Sequence, residues 1–203
     1  FINRLLMVGL LFLCLVAITG CSNNNSTNPQ FSAAIGNCLR AENDNFLSGL
    51  VMLSETAKEG YSYDNVLKLK AQLDMFVQTN DLSVSMEFIN GNVPEDIYVR
   101  IIDPRKKEGF MYRFETLDAL RNSLVFLSSI AENTKATKEQ MEWYQSFTVN
   151  LAEITLIYRT IGNDFIGYDN LTYVTEQFNK IHTLNQLLMQ STQLSYEDTN
   201  MSD

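Results

Sequence analysis

The chain has one histidine, His182. It stands four residues after Phe178, beside the apolar face of a helical segment. No His or Cys lies at ligand spacing from it, so a zinc site is not expected there. A Cys38–His182 pair could perform nucleophilic catalysis if the fold brought the two together. The plainer reading is a His at the surface or core edge. Glu139 and Glu142 lie one helical turn apart, but glycosidase chemistry needs two carboxylates facing each other across a cleft. Two on one helix face are expected to be solvated. The acidic stretch 163–176 fails the calcium-loop pattern: with Gly167 in sixth place, the first ligand would be Gly162 and the twelfth Tyr173. No glycine-rich phosphate loop and no serine nucleophile elbow occurs. The expectation is therefore a protein that is not an enzyme and carries no cofactor.

One cluster of charge stands out. Arg100, Arg105, Lys106, Lys107 and Arg113 fall close together in an otherwise acidic chain. They suggest a basic docking tip for an acidic protein partner, lipid head group or phosphate. A solvated turn that protects an edge strand would use the same residues. Tyr98, Phe110, Tyr112 and Phe114 flank the cluster, as aromatics do at interface hot spots.

The remaining chemistry is at Cys21. From Leu5 to Gly20 there is no charged residue, and Arg4 precedes the run. A basic start, an apolar middle and a small-residue exit make a secretory signal peptide. The run is shorter than the ~20 residues that a spanning helix needs. Its exit, Ile18-Thr19-Gly20-Cys21, resembles the lipobox of bacterial lipoproteins. The resemblance covers residues 1–21 alone and implies a diacylglyceryl group on the Cys21 thiol, with cleavage before it. Two or more acyl chains hold a protein stably at a bilayer. In Gram-negative lipoproteins an Asp after the Cys favours the inner membrane. Ser22 in that place implies sorting to the outer membrane, facing the periplasm.

Residues 22–30 carry no charge and almost no apolar surface, the composition of a flexible tether. Nine residues span roughly 15–18 Å on average and at most about 30 Å. The folded part is thus expected close to the membrane, beside an envelope protein partner.

Composition narrows the rest. The formal charge is −9, and one unit more negative once Arg4 is removed. Such a surface argues against nucleic acid, which needs a basic footprint, and against anionic lipid meeting the body. Apolar residues make up 45% of the chain, enough for a core. With Cys14 and Cys21 taken by the leader and the lipid, Cys38 is left over. It is expected as a small buried thiol, with an intermolecular disulfide as the alternative.

Helical periodicity dominates residues 31–190, read as one domain. Apolar residues from Ile35 to Ala57 form one face, with a break expected at residues 42–45 and an end at Gly60. Asp64 is expected to cap the next helix, which shows Val66, Leu69, Leu73 and Phe76. Residues 82–88, 97–101 and 110–114 alternate and predict short strands. The predicted fold is mainly α: a bundle of about five helices with a small antiparallel β-hairpin or three-stranded meander inserted at about residues 82–114. Leu117 to Ala131 form a further helical face. Thr137 and Gln140 predict a capping box, and Gly162 a stop. Asp169 is expected to cap the last helix. Residues 191–203 read as a disordered acidic tail. Tyr-Asp-Asn precedes a helix at both 63–65 and 168–170, which reads as shared capping chemistry more than as duplication.

Three functions fit this pattern. The first is a lipid-anchored, non-catalytic subunit of an envelope complex, as in secretion, conjugation, pilus assembly or envelope maintenance. The second is a periplasmic module holding a small apolar or peptide ligand between helices. The third is a carboxylate-based cell-wall enzyme.

Overall fold

The 3.6-residue period of the sequence becomes five helices among the described residues. A computed structural model describes the backbone at residues 29–80, 107–132, 135–162 and 171–200, and side chains at 37, 40–80, 112–132, 135–162 and 173–189. The helices are α1 (Pro29–Lys58), α2 (Tyr63–Thr79), α3 (Lys107–Ala131), α4 (Lys138–Ile161) and α5 (Leu171–Asn200). α1 begins inside the stretch read as tether, and α5 continues to Asn200 through the stretch read as tail.

Helix ends follow local chemistry. Gly60 turns α1 off at φ 90°, a value that costs glycine little. The α2 cap is Ser62, not Asp64: the Ser62 hydroxyl accepts from Asn65 N at 3.1 Å. Asp64 instead lies in the first turn, where a carboxylate faces the positive end of the helix dipole. At α4 the capping box is complete, with Gln140 N to Thr137 Oγ1 at 3.2 Å and Thr137 N to Gln140 Oε1 at 2.9 Å. Gly162 ends α4 at φ 53°. The Asp169 cap lies outside the described residues.

Two expectations are corrected. Residues 42–45 do not break α1. Asn43 is buried and donates to Gly162 O at 2.9 Å, so a weak helix former is held in the helix by a tertiary bond. The inserted β-element is also overturned, because residues 110–114 form the second turn region of α3 and the described residues hold no strand. The period there was masked by Arg113, which takes a core position one turn before Thr116 and Leu117. With a charged residue on the inward face, Phe110, Tyr112 and Phe114 mimic alternation. The other two expected strands, 82–88 and 97–101, lie outside the described residues. The described fold is all-α.

The principal contacts close into a ring: α1 on α2, α2 on α3, α3 on α5, α5 on α4, and α4 back on α1. α4 runs antiparallel to α1, since Asn43 meets Gly162, Leu50 meets Thr155 and Ala57 meets Tyr144. α2 is also antiparallel to α1, with Asn65 at Thr56 and Phe76 at Phe46. Five helices in a ring cannot all alternate in direction. The parallel pair is α3 with α5: Tyr112 meets Asn179, Glu115 meets His182 and Thr116 meets Asn185, both numbers rising together.

The core inside is aromatic and aliphatic, from Phe46, Leu50 and Leu53 through Leu69 and Phe76 to Phe147, Leu151, Ile154 and Ile181. Truncating one such Leu to Ala costs about 2–5 kcal/mol. Trp143 stacks on Phe147 at 5.2 Å and tilts against Phe126 at 4.3 Å, closing the end of the core near the α3–α4 turn.

Candidate functional site

Three places in the described residues could do more than fill space. The first is the α3–α5 seam. Arg113 is 1% exposed, with its guanidinium 4.5 Å from the centre of the Phe46 ring and 3.5 Å from Glu42 O. Burial lowers its pKa, while Tyr158 and Glu42 oppose that shift. A guanidinium nevertheless remains charged in a protein. Beside it, Thr116 Oγ1 lies 3.1 Å from Tyr158 OH, 3.0 Å from Asn185 Nδ2 and 2.9 Å from Tyr112 O. A hydroxyl has one proton and two lone pairs. Thr116 thus donates to the carbonyl and accepts from Tyr158 and Asn185. Burial raises the Tyr158 pKa, with the Thr116 contact and the Arg113 charge acting against it. This assembly joins three helices and leaves the hydroxyl protonated.

At the outer edge of the same seam His182 Nδ1 lies 2.8 Å from Glu115 Oε2. Tyr112 stacks on Phe178 at 5.0 Å, turns its edge to His182 at 6.3 Å and donates to Asn179 Oδ1 at 3.3 Å. A carboxylate at Nδ1 fixes the imidazole and leaves Nε2 facing outward, the arrangement of a positioned base. Both side chains are partly exposed, and the side chain of Cys38, the nucleophile weighed from the sequence, lies outside the described residues. Glu115 was not legible as this partner, since 67 residues separate the two. Among the described residues no three His, Cys, Asp or Glu side chains could hold a metal ion together.

The second place is the α1–α2 corner. Asn65 Nδ2 donates within 2.9 Å of Thr56 O, 2.7 Å of Gly60 O and 3.0 Å of Tyr144 OH. Tyr144 OH donates to Ala57 O at 3.2 Å. Carbonyls at the end of α1 thereby gain side-chain donors from α2 and α4, beside the tight-turn bonds from Glu59 N to Thr56 O at 3.1 Å and Gly60 N to Ala57 O at 3.3 Å. Burial pushes the Tyr144 pKa up to about 12, with the Glu59 charge adding to it. This is structural chemistry, and it explains the first Tyr-Asp-Asn stretch. The second lies outside the described residues.

The third is a groove of about 610 Å³ between α1 and α4. Val51, Val149, Ala152 and Leu156 supply its apolar surface, and Glu55, Lys58, Glu153 and Arg159 its charged rim. Val149 and Leu156 are 63% and 62% exposed.

The expected basic tip is corrected at Arg113, which belongs to the core rather than to a solvent-facing cluster. Its neighbours Tyr112 and Thr116 tie it into the α3–α5 seam. Lys107 is the first residue of α3. Arg100, Arg105, Lys106 and the side chain of Lys107 lie outside the described residues. So do Cys21, Ser22 and the side chain of Cys38. Glu139 and Glu142 sit exposed at the start of α4, as expected: Glu142 pairs with Lys138 at 3.3 Å. No described helix is long and apolar enough to cross a membrane. No known protein family, curated protein or solved structure matches the chain.

Proposed function

We propose that the chain is a lipid-anchored protein of the bacterial cell envelope. It acts as a non-catalytic accessory subunit held at the outer membrane, on the periplasmic side. The observation that carries this reading is the Ile18-Thr19-Gly20-Cys21 exit at the end of an uncharged apolar run. Acylated Cys21 is the membrane contact, and Ser22 directs the sorting. The polar stretch after it keeps the helical body close to the bilayer.

What supports a structural role is the use made of the buried polar groups. Asn43, Asn65, Tyr144, Thr116, Tyr158 and Asn185 bond helix ends or one another. The centre of the ring is filled by Phe46, Tyr158 and Arg113, which also speaks against a ligand held there. Arg100, Arg105, Lys106 and Lys107, without Arg113, form the basic contact for an envelope protein. No nucleic acid and no cofactor is involved.

The test is metabolic labelling of the tagged full chain with radioactive palmitate in a Gram-negative host. Label that disappears with Cys21→Ala is the expected result. An unlabelled wild type would overturn the anchor. In-cell crosslinking of wild type beside an Arg105→Glu, Lys106→Glu, Lys107→Glu variant then tests the contact. The same partners retrieved by both forms would remove the basic cluster from it.

A further inference from the structure

We propose that the groove between α1 and α4 docks an amphipathic helix of a partner protein, one whose centre is basic and whose two ends are acidic. This names the kind of partner for the accessory role above and rests on that reading for its purpose.

α4 is apolar on two faces. Tyr144, Phe147, Leu151, Ile154 and Tyr158 point into the core. Val149, Ala152 and Leu156, spaced by three and four residues, form a second stripe pointing out. Val51 of α1 widens that stripe into the groove floor. Isolated exposed apolar residues need no explanation, but a contiguous stripe with a charged rim is how a helix-binding groove is built.

The rim adds the specificity. Glu55, Lys58, Glu153 and Arg159 make no ion pair among the described residues. The antiparallel register, with Ala57 at Tyr144 and Asn43 at Gly162, sets their order along the groove: Lys58, Glu55, Glu153, Arg159. Positive charge thus marks both ends and negative charge the middle. From Thr148 to Arg159 the groove runs about 16 Å at 1.5 Å per residue, or about three turns of a docked helix. A second copy of this chain would bring the same pattern, setting acidic middle against acidic middle and basic end against basic end. Complementarity therefore selects a different chain with the opposite pattern.

The experiment titrates the full chain into a fluorescent synthetic helix of about 16 residues, long enough to cover the groove. The probe has one leucine face, two lysines at its centre and glutamates in its first and last turns. A control probe has the lysines and glutamates exchanged. Saturable binding of the first probe is expected, weakened about tenfold or more in the control by like charges. A Glu55→Lys, Glu153→Lys double variant should favour the control instead. Leu156→Asp should abolish binding while leaving the urea midpoint unchanged, because the residue is largely exposed. Equal binding of both probes, no saturable binding, or binding indifferent to Leu156→Asp would each overturn the proposal. So would a dimer in sedimentation that Leu156→Asp dissociates, which would assign the face to a second copy. None of these outcomes touches palmitate labelling at Cys21 or crosslinking through the basic cluster, so the two readings fail separately.

Discussion

The guanidinium of Arg113 lies over the ring of Phe46 at 4.5 Å, and both side chains are fully inside the ring of helices. A desolvated cation–π contact contributes ~2 kcal/mol or more, and breaking a buried charge's surroundings is costly. Arg113→Ala is expected to destabilise the protein by about 3 kcal/mol. A cycle of Arg113→Met and Phe46→Leu should show a coupling of about 1–2 kcal/mol in urea unfolding. Strict additivity of the two would mean that the ring and the cation do not interact.

Gly49 sits inside α1, where Ala would ordinarily stabilise a helix by ~1 kcal/mol. Here a Cβ would run into the Phe76 ring edge, which is buried and cannot swing away. Gly49→Ala is therefore expected to destabilise by about 1–3 kcal/mol, as overpacking does. A thermal melt decides it: a raised midpoint would contradict the close approach of α1 and α2.

Burial pushes the Tyr144 hydroxyl up to about 12 in the folded protein, and Tyr158 is shifted in the same direction. Their unfolded value is about 10. A raised folded pKa gives stability that is whole below about 10 and is lost as pH climbs through the folded value. Urea midpoints should hold to about pH 9 and then fall steeply. Tyr144→Phe should lose ~1 kcal/mol for its hydrogen bond and show a shallower decline. Tyrosinate absorbance appearing in the folded protein near pH 10 for every tyrosine would contradict this.

Asn65 offers its amide protons to carbonyls at the end of α1 and to Tyr144. Asn65→Ala removes the side-chain donor shared by Thr56 O, Gly60 O and Tyr144 OH and should cost about 1–3 kcal/mol. Asn65→Asp keeps the shape but aims a carboxylate at oxygens, which raises its pKa in the folded state. It should be worse than Ala at neutral pH and recover as the pH falls and the group is protonated. Equal unfolding midpoints for the two variants at pH 7 and pH 5 would contradict the amide's role.

The helices were legible where apolar residues alone mark the inward face. Leu69 and Leu73, or Phe147, Leu151 and Ile154, announce their faces without help from the fold. The Thr137–Gln140 box and Gly162 were legible because caps are local chemistry. Arg113 was not, because a charged residue on a core stripe looks like a solvent position until its ring partner, 67 residues away in sequence, is known. The same substitution of polar for apolar hid the continuity of α1 at Asn43, and made the start of α3 resemble a strand. The α1–α4 groove was illegible for the opposite reason. Val149 and Leu156 lie off the inward face of α4, and nothing local says that they line a groove until the ring closes and sets Val51 beside them.

The parallel α3–α5 pair also sets an order of assembly. α5 is the last of the described helices to be synthesised, and it seats against both α3 and α4. Until it arrives, the inner surface that Val174, Phe178, Ile181 and Leu188 cover has no lid. Neighbouring antiparallel helices can zip as they emerge, whereas this pair must wait for a whole intervening helix to be placed. A nascent chain stopped before residue 171 should bind a hydrophobic dye and yield to protease, and completion of α5 should end both. The described bundle is thus kept pliable until α5 is made.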